Sequence, residues 1–134
     1  MKNLKFSDDG TRNKIVYTNE LSHEWQRRTT LRDLHQGLLL ADAYLDADHL
    51  LITAARFHGF EAQVACPVCK QDALRYVRWV YGDNLGRRSG TARDEAEIAR
   101  LVEEVGPITV HLVEVCESCK WNFLLKEVTA QLPR

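Results

Sequence analysis

The sequence predicts an α+β protein in which N-terminal helices pack on a small antiparallel zinc-ribbon sheet, with a helical insertion between two cysteine knuckles. Three observations support this prediction. Apolar residues recur at helical spacing up to Gly59, strand-forming residues dominate after it, and four cysteines fall into two Cys-x-x-Cys pairs separated by 46 residues. We expect a flexible arm over residues 1–16, a helical segment over 17–60 and the ribbon over 61–134, with 17–134 forming one compact domain.

The first predicted helix follows the polar arm. Thr18 or Asn19 can cap its start, and leucines then recur at roughly helical spacing as far as Gly37, which is a plausible stop.

The second predicted helix begins at Asp46 or Asp48 and ends at His58 and Gly59, where a cation and a glycine are typical. We interpret His58 as a helix-end residue and not as a ligand. The predicted apolar face of this helix consists of Leu50, Leu51, Ala54, Ala55 and Phe57.

Strand signals follow. Residues 74–81 are rich in Tyr, Val and Trp and run into the turn Gly82-Asp83-Asn84. Residues 108–115 alternate as a strand, and residues 121–128 fit either a strand or a helix. We favour the strand for 121–128 because a cysteine turn precedes it, as in a zinc ribbon.

A third helix is predicted over residues 92–105, between the two cysteine pairs. Ser89 or Thr91 can cap its start, and Gly106-Pro107 ends it. This helix and the strand before it account for most of the long spacing between the pairs.

The composition is that of an ordinary globular protein. The chain has 134 residues, 45% hydrophobic and 28% charged, with a formal net charge of −1. That balance argues against a dedicated DNA-binding domain. Neither a signal peptide nor an apolar stretch of the ~20 residues that a bilayer requires is evident, so we expect a cytoplasmic protein. In a reducing cytoplasm, paired cysteines favour metal binding over disulfides.

The cysteines are the strongest chemical signal. Two Cys-x-x-Cys turns facing each other form a tetrahedral cage of four thiolates, which suits Zn²⁺, and a filled shell indicates a structural site. The predicted ligands are Cys66, Cys69, Cys116 and Cys119. Closing a loop of 46 residues instead of 18 costs about 0.8 kcal/mol more, whereas structural zinc contributes on the order of 10 kcal/mol.

Other interpretations of the cysteines stay open. A redox dithiol usually lies at a helix N-terminus, and neither pair clearly opens a helix. Disulfides and a catalytic zinc are less favoured, and four thiolates also suit iron. His111 is near the site in sequence, but we interpret it as a sheet residue.

We predict that the protein is not an enzyme. The glycines around Gly82 and Gly86 lack a Walker lysine, and no G-x-S-x-G nucleophile motif occurs. The acidic pair Glu103-Glu104 falls on a helix face that we expect to be solvated.

A basic and aromatic segment has binding character. Arginine and exposed aromatics can contact phosphates and bases, or form the centre of a protein interface. The alternative is that the aromatics are core and the arginines are solvated. The candidate partner-binding residues are Arg75, Arg78, Trp79, Tyr81, Arg87, Arg88 and Arg93.

Several motifs resemble one known family. They are AARFHG at 54–59, CPVC at 66–69, WVYGDNLG at 79–86, SGTAR at 89–93 and VEVCESCKWN at 113–122. In type and order they resemble a zinc-ribbon-like family of actinobacterial proteins known only as a domain of unknown function. The resemblance extends from about Arg27 to the C-terminus. It implies a small cytoplasmic bacterial protein with paired cysteines, and it implies no activity.

The leading functional hypothesis is a non-enzymatic zinc protein that acts as an adaptor or regulator on a large protein assembly. RNA polymerase and the ribosome are the expected kinds of partner, by analogy of fold alone. One alternative is direct nucleic-acid binding, and another is a thiol-based redox sensor. We expect neither a membrane nor a small-molecule substrate.

Overall fold

A computed structural model describes residues 15–133. In chain order, its elements are β1 (Val16–Ser22), α1 (Glu24–His35), α2 (His49–His58), β2 (Phe60–Glu61), β3 (Leu74–Tyr81), β4 (Thr91–Ala92), α3 (Glu95–Val105), β5 (Ile108–Cys116) and β6 (Asn122–Gln131), with 3₁₀ turns at Ala41–Ala43 and Asp83–Arg88. Within residues 15–133, no helix is long and apolar enough to cross a membrane.

The strands form one antiparallel sheet of six strands. Its order is β1-β6-β5-β3-β2, and β4 pairs with β3. The predicted α+β class is confirmed, as are the three predicted strands that became β3, β5 and β6. The predicted helical insertion is α3, which lies between the two cysteine pairs.

Helices cover both faces of the sheet. Successive side chains of a strand point to opposite faces, and in β3 Tyr76 packs with residues of α3 while Val77 packs with Ala55 of α2. Leu74 shares the face of Tyr76 and packs with Leu31 of α1. The sheet therefore lies between α2 on one side and α1 with α3 on the other.

The start of the first helix was predicted wrongly. Residues 16–22 form β1, which pairs with β6, and α1 begins at Glu24, beyond the predicted caps. The β-forming side chains Val16 and Tyr17 gain strand partners 113 or more residues away, with Val16 opposite Gln131 and Tyr17 opposite Ala130. The predicted helical segment 17–60 thus also contains most of β1, and residues 1–14 of the predicted arm lie outside the described part of the chain.

The third helix starts later than predicted. Thr91 lies in β4, and the true N-cap is Asp94, whose Oδ1 accepts a hydrogen bond of 2.8 Å from the Glu97 backbone N–H. The Glu97 side chain accepts in return from the Asp94 N–H at 3.2 Å, completing a capping box. The helix ends at Gly106, as predicted, with φ at +87°.

The second helix was predicted more closely. Asp48 caps it, and its Oδ1 accepts from the Leu51 N–H at 2.8 Å. The predicted apolar face is only partly buried, because Leu50 is 75% exposed and Phe57 72% exposed. Gly59 is required for a close approach: a Cβ there would lie 2.3 Å from the carbonyl oxygen of Tyr76.

Candidate metal centre

Each cysteine pair lies in the turn of a hairpin. Cys66 and Cys69 lie between β2 and β3, and Cys116 and Cys119 lie where β5 turns into β6. Since β3 pairs with β5, with Leu74 opposite Cys116, the two turns lie side by side at the same end of the sheet. The sheet register therefore brings together cysteines that are far apart in sequence.

The two turns have matching backbone conformations. In each, the first cysteine donates its N–H to a carbonyl five residues on, at 3.0 Å for Cys66 and 2.8 Å for Cys116. Its carbonyl accepts from the lysine that follows the second cysteine, at 3.0 Å from Lys70 and 3.1 Å from Lys120. These lysines have positive φ values of 66° and 71°. The same backbone turn thus occurs twice in the chain, and each copy presents two thiols.

The spacing of the four sulfur atoms is compatible with a tetrahedral metal site. Sγ of Cys66 lies 3.7 Å from Sγ of Cys119, and Sγ of Cys69 lies 3.6 Å from Sγ of Cys116. All four lie within 4.8 Å of one another. A tetrahedron with metal–sulfur bonds of about 2.3 Å has edges of about 3.8 Å. The cysteines are free thiols, so the four-cysteine cluster can form a metal site.

The protein supplies hydrogen bonds to the sulfurs. The backbone N–H groups of Val68 and Cys119 donate to Sγ of Cys66 and Cys116, each at 3.4 Å. Burial raises the pKa of Cys69, but hydrogen bonds from the Gln71 backbone and the other thiols outweigh burial and lower it to about 7. Burial raises the pKa of Cys116 and Cys119. A bound cation would favour the thiolate at all four sulfurs.

A buried ion pair lies beside the second turn. Glu114 is fully buried in β5, and its carboxylate accepts from Arg27 of α1 at 2.5 and 3.2 Å and from the Trp121 indole at 2.8 Å. Burial, followed by the charge of Glu114, raises the pKa of Tyr76, its cross-strand neighbour. This network fixes α1 against the sheet. This ion pair was not among the predicted features, although Glu114 shares the alternation of buried Leu112.

Two of the predicted partner-binding arginines have internal contacts. Arg78 is 1% exposed and lies 3.9 Å from Glu95, with its guanidinium 4.5 Å from the centroid of the Phe60 ring. Arg75 donates to the carbonyls of Ala55 at 2.8 Å and Gly59 at 3.3 Å. Arg78 is therefore not a surface residue, and Arg75 satisfies carbonyls at the end of α2.

Two of the other arginines pair with acidic residues of α3. Arg88 pairs with Glu104 at 2.8 Å, which lowers the pKa of that carboxyl, and Arg93 pairs with Glu97 at 3.3 Å. Arg87 is exposed on the 3₁₀ turn.

The predicted aromatics lie on the α2 face of the sheet. Trp79 is partly buried and packs with the residues beneath α2. Tyr81 is 37% exposed, and its ring centroid lies 4.5 Å from that of His111. His111 is a sheet residue, as predicted, and its Nε2 lies 3.3 Å from Glu127.

The fold and the site therefore define the class of this protein: it is an α+β protein with a four-cysteine candidate metal centre. The profile of the family of unknown function DUF5318 matches residues 14–131, and the chain belongs to this family. Its relatives include the uncharacterized proteins Mb0050 of Mycobacterium bovis and Rv0049 of Mycobacterium tuberculosis. Each is 38% identical over 106 residues, covering 79% of this chain and 77% of the relative. The predicted resemblance is confirmed. No solved structure matches the chain.

Proposed function

We propose that the four cysteines bind one Zn²⁺ and that this zinc is structural. Sulfur–sulfur distances of 3.6 and 3.7 Å support the proposal, because they come close to the edge length of a zinc–thiolate tetrahedron. Four thiolates fill the coordination shell and leave no position for substrate. The paired hairpins, each carrying one cysteine turn, support a zinc-ribbon arrangement. Iron is the competing metal for such a cage.

The proposed zinc links parts of the chain that are otherwise weakly constrained. The turn that carries Cys66 and Cys69 lies within a connection of twelve residues between β2 and β3, and β2 itself has only two residues. Metal bonds to the β5–β6 turn would hold this connection on the sheet. Buried Leu74 and Trp121 pack in one cluster with Cys66 and Cys116, which are themselves buried. Metal binding and ordering of this region then become one equilibrium.

For the whole protein we propose a non-enzymatic adaptor that docks on a larger protein assembly of transcription or translation. The supporting surface is an apolar groove between α2 and β4, which includes two of the residues singled out from the sequence, Trp79 and Arg93. Exposed Leu50 and Phe57 form one wall, and the groove encloses about 630 Å³. Exposed apolar surface of this kind is typical of protein-interaction sites. The proposed occupant is a segment of a partner protein with apolar anchor side chains.

Affinity capture from native bacterial lysate, with and without nuclease, tests the adaptor. We expect a stoichiometric protein partner that survives nuclease and is lost on Leu50→Ser plus Phe57→Ser. Leu40→Ser is the matched control, since Leu40 is 82% exposed outside the groove. Zinc content and melting temperature should be equal in all three proteins. Equal recovery of the partner by both variants would overturn the groove as the docking surface, and recovery only without nuclease would overturn protein docking.

A further inference from the structure

The lysine that follows each cysteine pair has a strained backbone. Within residues 15–133, the only residues other than glycine with positive φ are Asn19, Lys70 and Lys120. The values are 66° at Lys70 and 71° at Lys120. Glycine adopts this left-handed region without steric cost, whereas a residue with a Cβ is strained there. Both cysteine turns therefore place the same disfavoured residue type at the same position.

The backbone of the turns does not require a lysine. Each lysine donates its N–H to the carbonyl of the first cysteine, at 3.0 Å from Lys70 to Cys66 and at 3.1 Å from Lys120 to Cys116. A glycine would donate the same hydrogen bond without the strain. A strained residue that its own turn does not require indicates a function of its side chain.

The side chain of Lys70 folds back over the first cysteine turn. Its Nζ donates a hydrogen bond of 3.1 Å to the carbonyl of Pro67, which lies between Cys66 and Cys69 in the sequence. Lys120 is exposed at the matching position of the second turn. In the part of the chain that the structure describes, neither lysine forms an ion pair with a carboxylate. Both positive charges are therefore available to the cysteine cluster.

The other charges near the turns do not neutralise the zinc–thiolate cage, which we define as the four cysteines with the proposed zinc. Four thiolates and one Zn²⁺ together carry two net negative charges. The nearby arginines pair with glutamates, Arg56 with Glu117 at 2.7 Å and Arg75 with Glu61 at 3.9 Å. Two further acids near the turns are exposed, Asp46 and Asp72. The two lysines therefore match the cage in sign and in number of charges.

We propose that Lys70 and Lys120 are the counterions of the zinc–thiolate cage and strengthen the binding of zinc. Metal binding converts thiols to thiolates and releases their protons, so negative charge accumulates at the cage as zinc binds. A fixed positive charge beside each turn favours that state, and this attraction offsets the backbone strain. The inference rests on the proposed structural zinc and names two residues that set its affinity.

The zinc affinity of the full-length protein, measured at low salt by competition with a chromophoric chelator, tests the proposal. Lys70→Gln plus Lys120→Gln keeps each Cβ, and with it the backbone strain, but removes both charges. We expect zinc binding about 3- to 10-fold weaker, the order for exposed charge pairs. Lys70→Glu plus Lys120→Glu should weaken it about 10- to 100-fold, since both charges are reversed. Lys70→Arg plus Lys120→Arg should bind zinc as the unchanged protein does.

A matched double variant controls for net charge. Arg87→Gln plus Arg100→Gln removes two exposed positive charges from the 3₁₀ turn after β3 and from α3. We expect its zinc affinity to equal that of the unchanged protein. The weakening by the two glutamines at Lys70 and Lys120 should also decrease as the salt concentration rises from about 0.01 M to about 1 M, because salt screens exposed charges.

Three results would overturn the proposal. They are equal zinc affinity in the glutamine and unchanged proteins, an equal decrease in the arginine control at positions 87 and 100, and a decrease in the Lys→Arg pair as large as in the Lys→Gln pair. Should the glutamate pair fail to fold, the glutamine and arginine pairs still decide the matter. An unchanged protein that binds no zinc would instead overturn the proposed function, and this inference with it.

Discussion

Replacing Arg27 by methionine should strongly destabilise the protein, because it leaves the Glu114 carboxylate buried without its cation. Glu114 is fully buried, and the guanidinium donates two hydrogen bonds to it, at 2.5 and 3.2 Å. Charge-assisted hydrogen bonds contribute about 1.5–3 kcal/mol each, and removal of one partner from a buried pair costs about 3–5 kcal/mol. The entropy of unfolding is about 2.1 cal/mol/K per residue, and the chain has 134 residues. A loss of about 3–5 kcal/mol should therefore lower Tm by about 10–18 °C.

A double-mutant cycle isolates the interaction. The partner variant is Glu114→Gln, which keeps an acceptor for the Trp121 indole and removes the charge. Urea unfolding of the zinc-saturated proteins gives the four free energies of unfolding. We expect the double variant to be more stable than the Arg27→Met variant, because no unpaired charge remains buried. Destabilisation of under about 1 kcal/mol by Arg27→Met, below the range for a buried pair, or simple additivity in the cycle, would refute this account.

Four further predictions follow from single contacts. Asp48→Ala should lower the free energy of unfolding by about 1 kcal/mol through loss of the α2 cap, and a urea melt that matches the unchanged protein would contradict this. Gly59→Ala should destabilise by about 1–3 kcal/mol or more, since a Cβ would overlap the Tyr76 carbonyl. Gly82→Ala is its control, because a Cβ at Gly82 would meet only ordinary contacts at 3.5 Å. Cys116→Ser should remove the cooperative thermal transition of the region around the two cysteine turns, and a melt like that of the unchanged protein would show that the metal is incidental. With metal bound, the four thiols should resist iodoacetamide in a mass-spectrometric assay, whereas rapid alkylation would favour the redox sensor.

The lowered pKa of His111 predicts the direction in which the stability of the protein changes with pH. Burial lowers its pKa, with Glu127 raising it less and His23 lowering it further. A lowered pKa in the folded state means that the unfolded chain takes up the proton first, so stability is present above the ordinary histidine pKa and is lost as the pH falls. His111→Gln should therefore reduce the loss of stability between pH 7 and pH 5, measured by urea unfolding. An identical pH profile in the variant would contradict this assignment.

The elements that the sequence predicted are those with local signals. Strand β5 follows from its alternating pattern, which is rich in β-branched residues, and α2 follows from Asp48 and the glycine at its end. The cysteine cluster was predictable because a Cys-x-x-Cys turn orients both sulfurs through its own backbone. The capping box of α3 was also local, and Asp94-x-x-Glu97 could have been recognised before the structure.

The elements that the sequence did not reveal depend on distant partners. Strand β1 is stabilised by pairing with β6, which begins a hundred residues after β1 ends, and no local pattern specifies that pairing. Arg78 was named as a candidate binding residue because it belongs to a segment rich in arginine and aromatic residues. Its counterion Glu95 and the Phe60 ring become neighbours only through the fold. The burial of Arg78 could therefore not be predicted from local sequence.

Metal analysis of the purified protein shows directly whether the four cysteines bind one zinc ion. The full chain is expressed and purified without added metal, and zinc and iron are measured by inductively coupled plasma mass spectrometry against protein concentration. We expect one zinc per chain, a mass in native spectrometry equal to that of the chain plus one zinc, and loss of that zinc in Cys66→Ser. Stoichiometric iron would contradict the proposed metal. A metal-free protein that melts cooperatively with four reactive thiols would contradict the structural site itself.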